Sequence, residues 1–598
     1  MFKQSILALS VVTALSACTI EINDDKNEEK NASTDLNIQL IGRAVLNSQS
    51  PEGAAEIVAF QASTNYIYAV NSSSSTPTVE VLDASNINPS ELAVDSEGVV
   101  TGNTGSGVNL PSVMTIDLLA NTAGDANSIA VSDSAELLAV AIAADATGTK
   151  GNIAFYDISG GNVSFIKNVE VGYLPDMVEF NHDGTQVVVA NEGEPSGDYS
   201  IDPEGSISII DITAGMPADT ATNLDFNAFD NQKTVLETAG VKFANPGMSA
   251  GAAITVSQDL EPEYVAISED NKTAFVSMQE NNAIAIVDLT TKSITAVKPL
   301  GFKNWGMHEI DVSNKDGVNF TTYSNLYGMY QPDTIATYQV DGKNYFVTAN
   351  EGDAREYIDD ALSGGTVEDE NKAACETKHP NGLYEFDDEE ICFSYLEEIR
   401  IKDLDDMAPL STDLQSMFDS NGGKDGLGRL KVSHALGYST SANEYQSLYA
   451  FGARSFSIFD EMGNLVFDSG DQIEKLTYQF HQDAFNNNED ENEGDSRSDD
   501  KGPEPESVAI GKVGNNTYAF IGLERMGGIF VYNINNPYDA KYVDYFINRG
   551  LVEGADITGD LAPEGMKFVA ADKSPTGEAL LIIGNEISGS VAVWQIED

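Results

Sequence analysis

A repeated unit of three short strands constrains this 598-residue chain more than any other feature. Its clearest copy spans residues 259–289 and reads DLEPEYVAISEDNKTAFVSMQENNAIAIVDL. Strand-like segments cover 264–267, 273–278 and 283–288, and a turn rich in Asp and Asn separates the first two. This pattern predicts an antiparallel three-stranded meander. A lone meander cannot bury both of its faces, so it requires copies of itself.

Copies of the unit recur along most of the chain. Clear ones begin near residues 174, 332, 503 and 563, and weaker ones cover 57–83, 127–157 and 447–460. Together they make about eight units, one of which can be split between the termini to close a ring. Small antiparallel sheets repeated at this period are typical of a β-propeller. The sequence therefore predicts an all-β fold, a seven- or eight-bladed β-propeller, over residues 39–598.

The N-terminal segment has the features of an export signal. Lys3 supplies a positive charge, residues 6–14 are apolar, and residues 15–18 read LSAC, which resembles the lipobox of bacterial lipoproteins. The resemblance implies lipid on Cys18 and anchoring in a bilayer rather than spanning of it. Thr19 follows where an aspartate would signal inner-membrane retention, which favours the outer membrane. An ordinary secretory signal is the alternative.

Between this signal and the propeller, residues 19–38 are acidic and Asn-rich, and predict a disordered tether. Three later stretches interrupt the repeat and are predicted to be insertions on the rim: residues 212–258, 353–445 and 471–502. The second contains Cys375 and Cys392. With Cys18 lipidated, these two cysteines of an exported chain are expected to form a disulfide.

The charge of the chain excludes one class of partner. It carries 95 acidic and 32 basic side chains, a formal net charge of −63. A nucleic acid is not expected to bind, because its phosphates would be repelled rather than neutralised. Such a charge suits cation binding, a salty medium or simple solubility.

Acidic residues recur at two places in the unit, at the start of the first strand and just after the second. Equivalent positions in a radial array form rings, so these carboxylates are predicted to ring one mouth of the central channel. Close carboxylates repel one another unless a cation neutralises them, and oxygen-only ligands favour Ca²⁺. Asp176 occupies the first place, and the predicted ligands are Glu192, Glu263, Glu280, Asp333, Glu351, Asp353, Glu506, Glu524, Glu564 and Glu586.

The alternative for these carboxylates is a structural one. Pro-Glu and Asn-Glu-Gly segments also form turns and corners in which the acidic side chain bonds neighbouring backbone N–H groups.

Three arginines follow the second strand of their units: Arg355, Arg454 and Arg525. Basic residues are scarce in this chain, so a recurring position for arginine predicts a cluster that binds an anion such as phosphate or carboxylate. Equally, the arginines can pair with the carboxylate ring and hold the blades in register.

Several of these segments resemble the choice-of-anchor I proteins. The matching motifs are LPD (174–176), NEGEP (191–195), QDLEPEY (258–264), NEGDAR (350–355), DSRSDDKGPEPE (495–506) and LAPEG (561–565). The family comprises bacterial surface propellers and is similar to a mesenchyme-specific cell-surface glycoprotein of animals. The resemblance implies a secreted or anchored propeller, and members are often labelled alkaline phosphatase-like.

Two functions fit these observations. The first is a lipid-anchored propeller of the cell envelope, stabilised by Ca²⁺, that binds a surface protein, a glycan or a small anionic ligand. The alternative is a metal-dependent phosphoester hydrolase, in which the carboxylate ring holds metal and the three arginines take the phosphate. Propeller phosphatases bind calcium in this way, which makes the alternative an analogy of fold.

Overall fold

The middle strand of each repeated unit is buried along almost its whole length. Gln186–Asn191 and Ala579–Asn585 are examples in the computed structural model, which describes residues 36–46, 53–72, 76–103, 109–243, 254–364, 368–379, 383–386 and 390–598. A strand buried on both faces needs a packed layer on each side. A closed ring of sheets supplies both layers to every unit.

Within the described residues, seven antiparallel sheets follow one another around this ring, each with four or more strands. Blades 1 to 3 contain Ala54–Gln61, Tyr66–Asn71, Thr78–Asp83 and Ser112–Asp117; Ala126–Ser132, Leu137–Ile142, Lys150–Asp157 and Ser164–Tyr173; and Pro175–Phe180, Gln186–Asn191, Ser206–Thr213, Met216–Pro217 and Thr222–Asp225. Blades 4 and 5 contain Val265–Ile267, Thr273–Met278, Ala283–Asp288 and Ser293–Pro299; and Ile335–Val340, Lys343–Asn350, Ser455–Asp460 and Leu465–Asp468. Blade 6 contains Pro505–Val513, Asn516–Leu523, Ile529–Asn533 and Lys541–Phe546.

Blade 7 closes the ring by joining the two ends of the chain. Its strands Pro563–Val569, Ala579–Asn585 and Ser590–Glu597 are completed by Asn37–Val45, which pairs antiparallel with the last of them. The predicted propeller is confirmed, with seven blades. The count of about eight units is one too many, because residues 332–352 and 447–460 contribute strands to the same blade.

Apolar clusters between neighbouring blades form the core. One cluster lies between each successive pair, and the cluster between blades 7 and 1 contains side chains from both ends of the chain, such as Ile41, Ile67 and Leu580. The first strand of every blade faces a central channel, and side chains from all seven of these strands line a cavity of about 240 Å³ in it. The hydrophobic core is therefore complete only when the ring of blades is closed.

The long insertions carry the remaining elements. The helices are Lys233–Ala239, Val256–Asp259, Glu368–Lys378, Thr412–Ser420 and Gln472–Phe480. The strands outside the blades are Leu92–Val94, Val100–Asn103, Phe302–Asn304, Leu326–Met329, Glu356–Ile358, Leu383–Phe386, Glu390–Leu396, Glu398–Arg400, Lys431–Ser433, Tyr438–Ser439, Glu444–Tyr445 and Leu448–Ala450. A disulfide joins Cys375 to Cys392 inside the blade-5 insertion.

The structure sets different limits for some predicted segments. The stretch predicted as an insertion from residue 212 first completes blade 3 with strands that end at Asp225. The blade-5 insertion runs over 351–454 and the next over 469–504, while residues 300–334 form a further connection that the sequence did not indicate. The stretch predicted as a tether overlaps the strand that begins at Asn37.

The predicted signal, Cys18 and most of the tether lie outside the described residues. Among the residues that are described, no helix combines the length and the apolar character needed to cross a membrane.

A buried ion pair fastens the blade-5 insertion to the segment that precedes blade 4. Lys242 Nζ lies 2.6 Å from Glu397 Oε2, and neither side chain is exposed. Ser433 Oγ donates a hydrogen bond to the other oxygen of Glu397. Both charges are thus compensated, and removal of one leaves the other buried without a partner.

We expect Glu397→Ala to lower the free energy of unfolding by about 3–5 kcal/mol, because the Lys242 ammonium loses its counter-ion. The exposed pair Lys541–Asp539 is the matched control, and Asp539→Ala should change stability by less than about 1 kcal/mol. Urea unfolding of both variants checks this. Equal effects of the two substitutions would contradict a structural role for the buried pair.

Candidate metal centre at the channel mouth

A β-bulge near the start of the first strand turns an acidic side chain towards the channel in several blades. Register shifts separate Pro175 from Val178, Pro505 from Val508, and Pro563 from Met566. A bulge inserts one extra residue and re-aims its side chain. The residue directly after each proline is Asp176, Glu506 or Glu564. The Pro-acid motif of the sequence therefore marks the bulge that directs the acidic side chain.

The residues before these three prolines, and the residue before Pro332 of blade 5, have an unusual backbone conformation. Leu174, Gln331, Glu504 and Ala562 have φ values of 46°, 38°, 51° and 58°, although none is a glycine. A positive φ is strained for a residue with a β-carbon, and residues before proline are further restricted. The same local strain at four equivalent positions shows that the ring of acids is built by the backbone, since such strain persists where surrounding structure enforces it.

Counted by register, the seven blades each contribute one polar residue to this first ring. The residues are Glu56, Asn127, Asp176, Glu263, Asp333, Glu506 and Glu564. Four of the acids, with Asn127 and Tyr264, line a small cavity of about 40 Å³. Sequence reasoning missed Glu56, because Ala54 and Ala55 stand where other blades have proline. The bulge beside Ala54 is the signal that aligns it.

A second ring follows the second strands. Glu192, Glu351, Glu524 and Glu586 each come directly after the strand end, and blade 4 has Gln279 at this position. The predicted Glu280 is therefore one residue beyond the equivalent position. Gln279 donates from Nε2 to Glu351 Oε2 and from its backbone N–H to Glu263 Oε2, both at 2.8 Å. Gln279 therefore connects the two rings, through its backbone N–H to Glu263 of the first and through its side-chain amide to Glu351 of the second.

The tightest group of acids is Glu351, Glu506 and Glu524. One carboxylate oxygen from each lies within 4.8 Å of the others. Glu351 and Glu524 are each 8% exposed, and the Oε2 atoms of Glu506 and Glu524 are buried without a hydrogen-bond partner among the described residues. Buried carboxylate oxygens normally have partners. Three converging carboxylates with two unmatched oxygens fit a hard cation with oxygen ligands.

Cationic side chains neutralise part of this group. Lys501 Nζ lies 2.7 Å from Glu351 Oε1, 3.4 Å from Glu504 Oε2 and 3.7 Å from Asp353 Oδ1. Arg525 Nη2 lies 3.0 Å from Glu524 Oε1. Asp353, one of the predicted ligands, sits at the outer side of the group with 47% of its side chain exposed.

The other predicted ligands surround the mouth in two further groups. Glu192, Glu263 and Glu280 lie on the side of blades 3 and 4. Glu192 and Glu280 are close enough to Asp176 for mutual repulsion, and Glu263 is close enough to Glu192 and Glu280. Glu564 and Glu586 lie beside Glu56 on the side of blades 7 and 1. Asp333 lies between these groups and interacts with Glu351. The structure thus brings all the predicted acids to one mouth, in three clusters rather than one.

Burial and mutual repulsion raise the pKa of several acids at this mouth. Burial first, and then the neighbouring carboxylates, raise the pKa of Asp176 to about 7 and that of Asp333 to about 8. Burial beside Glu280 likewise raises the pKa of Glu194 to about 7. The pKa values of Glu506, Glu524 and Glu564 also lie well above the ordinary value for the same causes. The mouth at neutral pH therefore holds either protons or other cations.

The three arginines are engaged inside the protein. Arg355 donates from Nε and Nη2 to Glu261 Oε2 at 2.9 and 2.7 Å, and pairs with Asp259. Arg454 donates to Glu474 Oε1 at 2.5 Å and to three backbone carbonyls. Both arginines are 2% exposed. These contacts favour the structural alternative over anion binding for Arg355 and Arg454.

Arg525 is the most accessible of the three, with 21% of its side chain exposed. Its guanidinium pairs with Glu489, Glu504 and Glu524. Glu504 is fully buried and also accepts Arg497, at 2.8 Å, and Lys501. The Glu504 carboxylate therefore pairs with the three cations that border the group of Glu351, Glu506 and Glu524.

The raised pKa values predict a stability that depends on pH when a chelator removes divalent cations. Folded-state pKa values above the unfolded ones contribute stability below about pH 4, and this contribution is lost as the pH rises through about 7–8. We expect the chelated protein to melt several degrees higher at pH 5.5 than at pH 8. Asp333→Asn should reduce this difference, whereas Glu578→Gln, on the exposed surface, should not. Equal pH profiles for both variants would contradict the assignment.

Comparison with known proteins places this geometry in a family. The model of the choice-of-anchor I domain matches residues 56–537. Gigasin-3a of Magallana gigas is 28% identical over 184 residues, which are 28% of this chain and 64% of that protein. The mesenchyme-specific cell surface glycoprotein of Strongylocentrotus purpuratus is 31% identical over 329 residues, 50% of this chain and 38% of that protein. The chain thus spans less than two thirds of each of these relatives.

Solved propellers align along most of the chain at low similarity. The hydrazine synthase of Kuenenia stuttgartiensis has 13% identity and a TM-score of 0.39, over 92% of this chain and 96% of that one. The WD40 domain of Toxoplasma gondii coronin has 8% identity and a TM-score of 0.41, over 94% and 87%. Because the family's model matches most of the sequence, this chain belongs to the choice-of-anchor I family.

Proposed function

We propose that this protein is a lipid-anchored surface propeller that binds Ca²⁺ at its channel mouth and uses the ordered mouth and rim to bind a partner. Family membership and the propeller fold support a surface β-propeller module. The observation that carries the cation is the convergence of Glu351, Glu506 and Glu524 with buried, unpartnered oxygens. Lipid on Cys18 would hold the module at the outer membrane.

Charge balance supports a cation in this position. Glu351, Glu506 and Glu524 bring three carboxylates together, while Lys501 and Arg525 also pair with Glu504 and so neutralise only part of the group. A divalent cation would satisfy the remaining oxygens without a penalty for burying unpaired charge. Ca²⁺ fits better than Mg²⁺, because the carboxylates come from separate strands and do not enforce an octahedral geometry.

The proposed cation would also join blades. Glu351 follows a strand of blade 5, whereas Glu506 and Glu524 belong to blade 6. Ligands from two blades tie their inner ends together, and Lys501 brings the insertion between them to the same point. Binding of Ca²⁺ would therefore order the rim on this face, where we place contacts with a surface protein, a glycan or a small anionic ligand.

Phosphoester hydrolysis is the less favoured of the two functions. It requires a cationic group that is free to take the phosphate, and Arg355 and Arg454 are buried in internal contacts. Arg525 is more exposed but already has three carboxylate partners. Turnover of phosphomonoesters or phosphodiesters that a chelator abolishes would restore this alternative.

Calcium titration of the chelated and dialysed full chain tests the proposal. We expect saturable binding of Ca²⁺, and Glu524→Gln should weaken it at least tenfold, which corresponds to about 1.4 kcal/mol. The reason is that the substitution removes one charged ligand while keeping the shape of the side chain. At a Ca²⁺ concentration of 100 times Kd, linkage predicts about 2.7 kcal/mol of added stability for the unmodified protein.

Glu578→Gln is the matched control, since it makes the same chemical change on the exposed surface of blade 7. It should bind Ca²⁺ like the unmodified protein. Failure of the unmodified protein to bind Ca²⁺, or equal binding by Glu524→Gln, would overturn the proposed centre and return its carboxylates to a purely structural role.

A further inference from the structure

The disulfide of the blade-5 insertion and two side chains next to it form a group of four potential metal ligands. Cys375 lies in the helix Glu368–Lys378, and His379 follows that helix directly. Cys392 lies in the strand Glu390–Leu396, and Asp359 follows the strand Glu356–Ile358. Their exposed fractions are 1%, 6%, 0% and 3%, in the order in which they are named here. Two disulfide sulfurs, an imidazole and a carboxylate thus share one buried site.

Contacts between these residues hold them together. His379 Nε2 lies 2.8 Å from Asp359 Oδ2, and one ligand atom from each of Asp359, His379 and Cys392 lies within 4.8 Å of the others. The backbone N–H of His379 donates to Cys375 O, which continues the helix and puts Cys375 and His379 on one face. The backbone N–H of Asp359 donates to Cys392 O. The disulfide places Cys375 Sγ beside Cys392 Sγ.

We propose that the Cys375–Cys392 disulfide masks a zinc site, and that its reduction exposes a tetrahedral set of two thiolates, His379 and Asp359. Tetrahedral Zn²⁺ takes sulfur at about 2.3 Å and nitrogen at about 2.0–2.1 Å, which puts its ligand atoms roughly 3.3–3.8 Å apart. One ligand atom from each of Asp359, His379 and Cys392 already lies within 4.8 Å of the others, and breaking the disulfide frees the two sulfurs to move apart towards this range. Cys375 and His379 are separated by three residues on a helix and its continuation, a separation like that of paired zinc ligands in known sites.

The chemistry of the switch balances with a dithiol as the reductant. The dithiol supplies two electrons and two protons, the bond between the sulfurs breaks, and the dithiol leaves as its own disulfide. Each cysteine thiol then gives up its proton on binding Zn²⁺. Two thiolates and one carboxylate leave the occupied site with a net charge of −1, and thiolate ligands favour zinc over Ca²⁺ or Mg²⁺.

Lys378 is the group that competes with the metal. Its Nζ lies 2.6 Å from Asp359 Oδ2 and 3.1 Å from Asp198 Oδ2, and its side chain is 43% exposed. The ammonium can therefore leave Asp359 for solvent and keep Asp198 as its partner. The site is closed in the oxidised protein because both sulfurs are held in the disulfide, and its sulfur ligands separate it in chemistry from the proposed calcium centre.

Cobalt is the probe that distinguishes the two centres. Co²⁺ bound by thiolates gives a charge-transfer absorption that carboxylate ligands do not give, so binding at the channel mouth does not interfere. We expect the full chain with Cys18→Ser to bind one equivalent of Co²⁺ with this absorption after a phosphine has reduced it under anaerobic conditions. Zn²⁺ should then remove the signal. The oxidised protein should give none.

Substitutions of His379 and Asp359 distinguish a four-ligand metal site from a pair of thiols that binds the metal without them. His379→Ala and Asp359→Asn should each weaken Co²⁺ binding at least tenfold, and His308→Ala is the matched control for loss of a histidine elsewhere. Unchanged affinity in both of the first two variants would overturn the proposal. Absence of the absorption in the reduced full chain would overturn it as well, whether or not the insertion stays folded, because a zinc site folds on its metal.

Discussion

Packing between neighbouring blades is the interaction on which the rest of this structure depends. Each sheet is apolar on both faces, and the seven clusters between blades bury strands that would otherwise be exposed to water. Such sheets can satisfy both faces only in a closed ring. The strand Asn37–Val45 therefore completes blade 7, and the two ends of the described chain meet there.

Closure of the ring has an electrostatic consequence. It brings the first strand of every blade to one axis, and with it an acidic residue from six of the seven blades. The local devices at these positions, a bulge and a strained residue before proline, point the carboxylates towards one another. The favourable packing of the blades thus holds together charges that repel, and burial together with this repulsion raises the pKa values of Asp176 and Asp333.

The scarce basic residues are used where the long insertions meet the blades. Arg355 ties the blade-5 insertion to Glu261 before blade 4, and Arg454 ties the end of that insertion to Glu474. Lys242 and Glu397 make a third buried connection. Cations placed at these junctions fix the insertions over the ring, while in the described part of the chain Lys501 and Arg525 are the cations that pair with the cluster of Glu351, Glu506 and Glu524. The mouth is left acidic.

The sequence by itself determined the propeller, the Pro-acid and Asn-Glu positions and the pairing of Cys375 with Cys392, because strand periodicity, turn residues and repeated spacing are local properties. Only the tertiary structure decided that residues 332–352 and 447–460 share one blade, that Gln279 rather than Glu280 occupies the ring, and that Glu56 belongs to it. It also decided the partners of the arginines and the approach of Asp359 and His379 to the disulfide. These depend on contacts between segments distant in the chain, which no local pattern encodes.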